Sequence, residues 1–280
     1  MNWSAFPRAG AEGVKLPYAE YGEGEPVVLV HGSNSDHRIW DQHRRIIGSK
    51  YRAIALSQRY FGRDPWLDAG EEFCISVLAN DLASFVRGLE LAPVTIVGWS
   101  FGGAVSLTMA LRNRELVRRM LLYEPALTTF VSDAGDSRVA AEDRSAMMSA
   151  AKALATSGDL AGAVRLFMDG VNAEDGAFDR LAPQVRTLMI ENARMLPLLF
   201  AGPPPPPVTA DDLRAFNCPV TIALGDESRP HYQIAARAAH SLLPLSRLEV
   251  VRNAKHLWPI QDPQGFSQLV LHALDRDSRA

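Results

Sequence analysis

Residues 94–103 read VTIVGWSFGG, and the order of residue types in that stretch decides how the rest of the chain is read. Val94–Val97 is a short apolar, largely β-branched run, which suits a buried strand. Gly98-Trp99-Ser100-Phe101-Gly102 fits G-x-S-x-G, and Ala104–Leu111 has the composition of a helix. A strand, an abrupt turn and a helix push the Ser100 hydroxyl clear of the backbone, at the positive end of a helix. Gly98 and Gly102 leave room where a side chain would collide in so tight a turn. Gly103 lets the helix start close to the strand. The five-residue pattern alone recurs by chance; its flanking strand and helix make Ser100 a candidate nucleophile.

Upstream, Val14–Glu20 reads as a first strand, and Pro26–Val30 as a strand buried on both faces of a parallel sheet. The latter ends in His31-Gly32-Ser33-Asn34, whose backbone N–H groups could face a cleft. A helix is expected to begin within Trp40–Ile47, and a strand at Tyr51–Leu56. Ser57–Pro65 reads as a charged loop. Ile75–Gly88 has helical spacing, with Leu78, Leu82, Phe85 and Val86 on its apolar side. Downstream, Met120–Tyr123 is another apolar strand, and it ends in Glu124-Pro125. A carboxylate at the end of an interior strand is costly unless its charge is compensated.

The strand pattern then lapses. Leu127–Asp212 reads as helices at Ala140–Ser157 and Asp159–Gly170 and one or two more over Ala177–Leu196, with Met147, Met148, Met168, Met189 and Met195 among them. Gly202 and Pro203–Pro207 form a stiff connector out of this stretch. Alternation resumes with strands at Pro219–Leu224 and Ser246–Val251 and helices at Tyr232–Ser241 and Asp262–Leu274. Strands alternating with helices imply an α/β fold with a mostly parallel sheet covered on both faces. The expected domains are a core of residues 1–126 and 213–280 and a helical insertion of residues 127–212. Functional loops of such a sheet lie at the carboxyl ends of its strands. His31, Ser100, Glu124, Asp226 and His256 all fall on that edge.

With 280 residues and a net charge of −3, the chain can bury one substantial core, and no basic block marks a nucleic-acid partner. Cys74 and Cys218 stand in no metal or redox spacing and are expected to be buried thiols. Residues 1–13 lack the long apolar region of a signal peptide and no apolar run is long enough to cross a membrane, so a soluble cytoplasmic protein without membrane partners is expected, with homo-oligomerisation left open. H-E-x-x-H, a histidine–carboxylate cluster and a P-loop are all missing, so neither metal nor other cofactor is expected.

Serine attack needs an imidazole to take and return a proton, and a carboxylate to orient that imidazole. His256 follows the last strand and can reach back to Ser100. His37, His43, His231, His240 and His272 lie in helical or flanking positions and read as packing or surface residues. The order serine, acid, histidine is that of the α/β-hydrolase solution.

On these residues the chain resembles the α/β-hydrolase fold superfamily over nearly its whole length. The resemblance rests on His31-Gly32-Ser33, Gly98–Gly103, the helical stretch after Glu124, and His256 before the terminal helix. It implies oxyanion donors at the backbone N–H groups of Phe101 and Ser33, and a helical cap over the sheet at 127–212. Many relatives carry the acid three residues after the glycine ending the penultimate strand. That position is Ser228 here, which cannot serve. A minority, among them some dehalogenases and lactonases, place it after the strand that follows the nucleophile helix, where Glu124 stands. Glu124 is the expected acid and Asp226 the alternative. Lys255, where relatives often have glycine, is expected to point to solvent.

Dehalogenases and epoxide hydrolases of this fold attack with aspartate, so Ser100 favours an acyl-enzyme route on an ester or lactone. Carbon–carbon bond hydrolases of diketones use the same residues and remain an alternative. A non-catalytic ligand-binding member of the fold is another. Trp99 and Trp258 are expected to flank an apolar pocket for a hydrophobic small molecule, with Met148, Leu166 and Met195 reaching it from the helical stretch.

Overall fold

The computed structural model describes residues 6–10, 15–66 and 68–277. Eight strands form one sheet: β1 (Arg8–Ala9), β2 (Leu16–Tyr21), β3 (Pro26–Val30), β4 (Arg52–Leu56), β5 (Val94–Trp99), β6 (Val117–Tyr123), β7 (Val220–Gly225) and β8 (Ser246–Val251). Their order is β1-β2-β4-β3-β5-β6-β7-β8. β1–β2 and β2–β4 pair antiparallel and every other pair is parallel. β5 is buried along its whole length, as expected of an apolar run between two parallel neighbours.

Helix α1 (Asp41–Ile47) packs with α12 (Pro263–Asp277), and α2 (Ile75–Gly88) with α3 (Phe101–Arg112). α2 buries Leu78, Leu82, Phe85 and Val86 on one face. α3 is buried at every position from Phe101 to Ala110, because it lies between the sheet and α2 and has no wet face.

Between β6 and β7 the chain is helical: α4 (Ala134–Ser157), α5 (Leu160–Asn172), α6 (Ala177–Arg180), α7 (Pro183–Glu191), α8 (Leu196–Ala201) and α9 (Ala210–Arg214). The helical reading of 177–196 breaks at Pro183, which cannot continue a helix from its own N-terminal side, and again at a 3₁₀ turn over Ala193–Met195. α4 starts six residues before the expected Ala140, where Asp133 caps it by accepting the Asp136 amide. Helix α10 (Pro230–Leu242) follows β7, and the short α11 (Trp258–Gln261) precedes α12. The first expected strand begins at Leu16; its proposed start, Val14, lies outside the described residues.

The register brings one strand end after another to a common rim. Val30 pairs with Leu56 and Gly98, Trp99 with Tyr123, and Gly225 with Val251. The chain leaves β3 for β4 on one side, then crosses to β5 on the other. The carboxyl ends of β3 and β5 therefore flank a crevice, and His31–Ser33 and Ser100 emerge there.

Candidate active site

Ser100 has φ 55° and ψ −120°, a conformation that costs a non-glycine residue about 1–3 kcal/mol. The surroundings hold it there. Its N–H donates to the Tyr123 carbonyl at 3.0 Å, and its own carbonyl accepts from Ala104 and Ala126 at 3.1 Å each. A Cβ on Gly98 would stand 2.9 Å from Gly103 Cα. One on Gly102 would stand 2.3 Å from the His31 carbonyl oxygen. Both glycines are required by space.

His256 lies in the turn between β8 and α11. Trp99 Nε1 donates to its carbonyl at 3.1 Å, Tyr123 donates to the Lys255 carbonyl at 2.9 Å, and Asn172 Oδ1 accepts the Leu257 amide at 3.0 Å. These three bonds fix the loop from β5, β6 and α5. The imidazole Nε2 is 2.9 Å from Ser100 Oγ, and Nδ1 is 2.6 Å from Glu124 Oε2. The Tyr232 ring stacks on the imidazole at 3.7 Å between centroids, 5° from parallel.

Glu124 is fully buried. Its Oε1 accepts the Gly225 amide at 2.8 Å and the Ser228 hydroxyl. A buried carboxylate needs such partners, since its charge has no water to answer it. The Tyr123 hydroxyl titrates far above its usual range, because it is buried and faces the Glu124 charge. Asp226, the alternative acid, is exposed in the turn after β7 and turns its backbone N–H to the Val251 carbonyl. Lys255 is half-buried, with Nζ 3.3 Å from Glu174 Oε2.

The loop after β3 is set by His31. Its Nε2 accepts the Gln58 amide at 3.1 Å, and its Nδ1 donates to the Gly32 carbonyl at 2.8 Å. Burial lowers its pKa to about 4, so the ring is neutral and in one tautomer. This anchors Gly32 and the neighbouring Ser33 beside Ser100.

A cavity of about 300 Å³ opens over Ser100. Ser33, Ser100 and Phe101 form its floor, and Met148, Phe167 and Leu199 come from the helices after β6. Met148 stands where the sequence placed it. Leu166 does not: it is on the exposed side of α5, one position off the face that carries Phe167. Met195 is wholly buried in the core and Trp258 packs against Tyr123 and Phe266, so neither lines the cavity. Trp99 borders a narrow gap behind Ser100 with His256 and Met168. Cys74, expected to be buried, is half-buried and lines the cavity; Cys218 is buried, and its thiol is pushed up to about 11. His231 and Tyr232, at the start of α10, also line it. Neither is legible as a site residue in the sequence, because nothing in local periodicity says that α10 reaches this rim. Among the described residues no cluster of three or more His, Cys, Asp or Glu could hold a metal, and no helix is long and apolar enough to cross a membrane.

The profile of the Alpha/beta hydrolase family matches residues 27–269. A curated relative, 2-hydroxy-6-oxo-2,4-heptadienoate hydrolase of Pseudomonas putida, is 33% identical over 126 residues, 40% of this chain and 41% of that protein. The chain thus matches less than half the length of this relative. Among solved structures, an N-acyl homoserine lactone degrading enzyme superposes with a TM-score of 0.74 at 19% identity, covering 95% of this chain and 99% of its own. A thermophilic esterase from Thermogutta terrifontis gives 0.70 at 20% identity, covering 97% and 98%. At these identities the two structures speak to the fold.

Proposed function

The chain belongs to the α/β-hydrolase family, and on that premise we propose that it is a serine hydrolase of carboxylic esters or lactones of hydrophobic small molecules. The observation that carries this reading is the unbroken hydrogen-bonded line Glu124–His256–Ser100, at 2.6 and 2.9 Å. Ser100 Oγ attacks the carbonyl carbon while His256 Nε2 takes its proton. Glu124 keeps the Nδ1 proton in place and offsets the imidazolium charge. Backbone N–H groups of Phe101 and Ser33 receive the oxyanion as it forms. His256 returns the proton to the leaving alkoxide, and water then releases the acyl group by the same relay. Residues 127–212 act as a cap on the core of 1–126 and 213–280. In support, Met148, Phe167 and Leu199 on the one side and Ser100 and Phe101 on the other wall one cavity.

Carbon–carbon bond cleavage is the second reading, favoured by the 33% identity to the heptadienoate hydrolase. A panel of p-nitrophenyl esters, aliphatic lactones and a vinylogous diketone, assayed with excess chelator, tests both. Ester or lactone turnover that vanishes in Ser100→Ala is expected. Turnover of the diketone alone would replace the first reading by the second. Ester turnover that survives in Ser100→Ala would overturn the serine mechanism.

A further inference from the structure

His231 is 2% exposed, and its ring lines the cavity over Ser100. Two successive turns of α4 hold it. Asp143 Oδ2 accepts its backbone N–H at 3.1 Å, and the Ala140 carbonyl lies 3.1 Å from Nδ1. Asp143 is itself clamped by Arg229, at 2.6 and 3.1 Å. A carbonyl only accepts, so Nδ1 carries the proton and Nε2 presents a lone pair. Nε2 has no hydrogen-bond partner among the described residues. Burial lowers the ring's pKa to about 4, and the nearby Arg144 guanidinium, also on the cavity wall, opposes its protonation. The ring is therefore neutral in the ordinary working range. Edge-on to His231, at 5.1 Å between centroids, is Tyr232, the ring stacked on His256. The Tyr232 hydroxyl is turned to Met147 Sδ at 3.5 Å.

We infer that His231 is a specificity-determining hydrogen-bond acceptor, and that the cavity takes substrates whose unreactive portion carries a hydroxyl group. The inference rests on the reading of this cavity as the substrate pocket. A ligand that fills the cavity covers Nε2. If it brings a donor, the lone pair is satisfied; a methyl ether of the same shape leaves it buried and unpaired. Sites built to bond a hydroxyl reject analogues that lack one far more strongly than apolar pockets reject a change of size. A carboxylate gains nothing from Nε2, whose lone pair faces its own, and can pair only with the Arg144 guanidinium on the same wall, so the discriminating comparison is the hydroxyl against its methyl ether.

The test is binding, independent of turnover. 4-Propylphenol and 4-propylanisole are titrated calorimetrically into the wild type and into His231→Phe. The wild type is expected to bind the phenol about tenfold or more tighter than the anisole, and His231→Phe to bind the two within about twofold of one another. In ¹⁵N-histidine spectra of the wild type, the His231 Nε2 resonance should shift with the phenol and stay still with the anisole, a result that does not depend on the variant folding. Equal affinity of the wild type for phenol and anisole, an unmoved Nε2 resonance, or a phenol preference that survives in His231→Phe would each overturn the inference. Ester turnover without phenol preference removes this inference alone. Phenol preference without turnover of any ester, lactone or diketone removes the hydrolase reading and leaves the acceptor site standing.

Discussion

The Ser228 hydroxyl donates to Glu124 Oε1, the same oxygen that accepts the Gly225 amide, which leaves Oε2 for His256 Nδ1 at 2.6 Å. Ser228 occupies the position where many family members carry the acid itself. Here the carboxylate that meets His256 belongs to the neighbouring strand, and Ser228 supplies a donor that holds it. Ser228→Ala is expected to lower kcat about tenfold, the worth of one buried hydrogen bond to a charged group. Glu124→Gln should cost far more, on the scale of the about 10⁴-fold loss when the triad aspartate of a serine protease becomes asparagine. Adding Ser228→Asp to Glu124→Gln should recover part of that loss, because it returns a carboxylate to the same turn. Steady-state rates of the three variants on one p-nitrophenyl ester decide it; a double variant no faster than Glu124→Gln would show that the turn cannot aim a carboxylate at His256.

The strain at Ser100 predicts a stability change opposite in sign to the activity change. Glycine tolerates φ 55° and ψ −120° and alanine does not. Ser100→Gly should therefore be more stable than Ser100→Ala by about 1 kcal/mol, or about 2 °C in Tm for a chain of this size. Both should be inactive. Calorimetric melting of the two variants makes the comparison, and equal melting temperatures would mean that the elbow stores no strain.

Burial of neutral histidines sets the response to acid. The pKa values of His31, His43 and His231 are each lowered to about 4, chiefly by desolvation. Their unfolded value is near 6.5. Above pH 6.5 both states are neutral there and these groups leave stability unchanged. Between pH 6.5 and 4 the unfolded chain binds protons that the folded chain refuses, so stability falls as pH falls, by up to about 1.4 kcal/mol per pH unit for each histidine. His43 packs against Phe266 with Nε2 on the Pro259 carbonyl. His43→Gln should flatten the slope of urea-unfolding free energy against pH by about one proton's worth in that window. An unchanged slope would show that His43 takes up its proton in the folded state.

The fold was legible where hydrophobic runs left one reading. Pro26–Val30 and Ile75–Gly88 have the bounds expected of them, the one a short apolar run closed off by turn residues and the other a clean 3.6-residue stripe, and so does Ser246–Val251, a mixed polar and apolar run on the sheet edge. β1 could not be read, being two residues on a sheet edge. α9 could have been: Thr209 and Asp212 form a capping box, a sequence signature in its own right. The site was legible at the strand ends. Ser100, Glu124 and His256 meet because parallel strands in register end together. The cavity wall was not legible, because methionine content says that a helix has an apolar surface and not which way that surface turns. Met195 and Met148 differ only in what packs against them.

That difference is the basis of the last prediction. Met148 lines the cavity, Leu166 is 36% exposed and Met195 is wholly buried. Three alanine substitutions should then give three distinct results. Met148→Ala enlarges the cavity without emptying the core, so kcat/KM should rise for longer acyl chains relative to p-nitrophenyl acetate, by about tenfold, the lower end of what one methylene is worth in an apolar pocket. Leu166→Ala should change neither substrate preference nor stability beyond about 0.5 kcal/mol, as at other surface positions. Met195→Ala opens a hole in the core and should cost about 2–5 kcal/mol of stability, with equal effects on every substrate when assayed well below its lowered Tm. Rates on acetate, butyrate and octanoate esters, set beside urea midpoints for the same proteins, separate these cases. A chain-length shift in Leu166→Ala, or none in Met148→Ala, would mean that substrate enters from another side of α5 and that the cavity over Ser100 is not its seat.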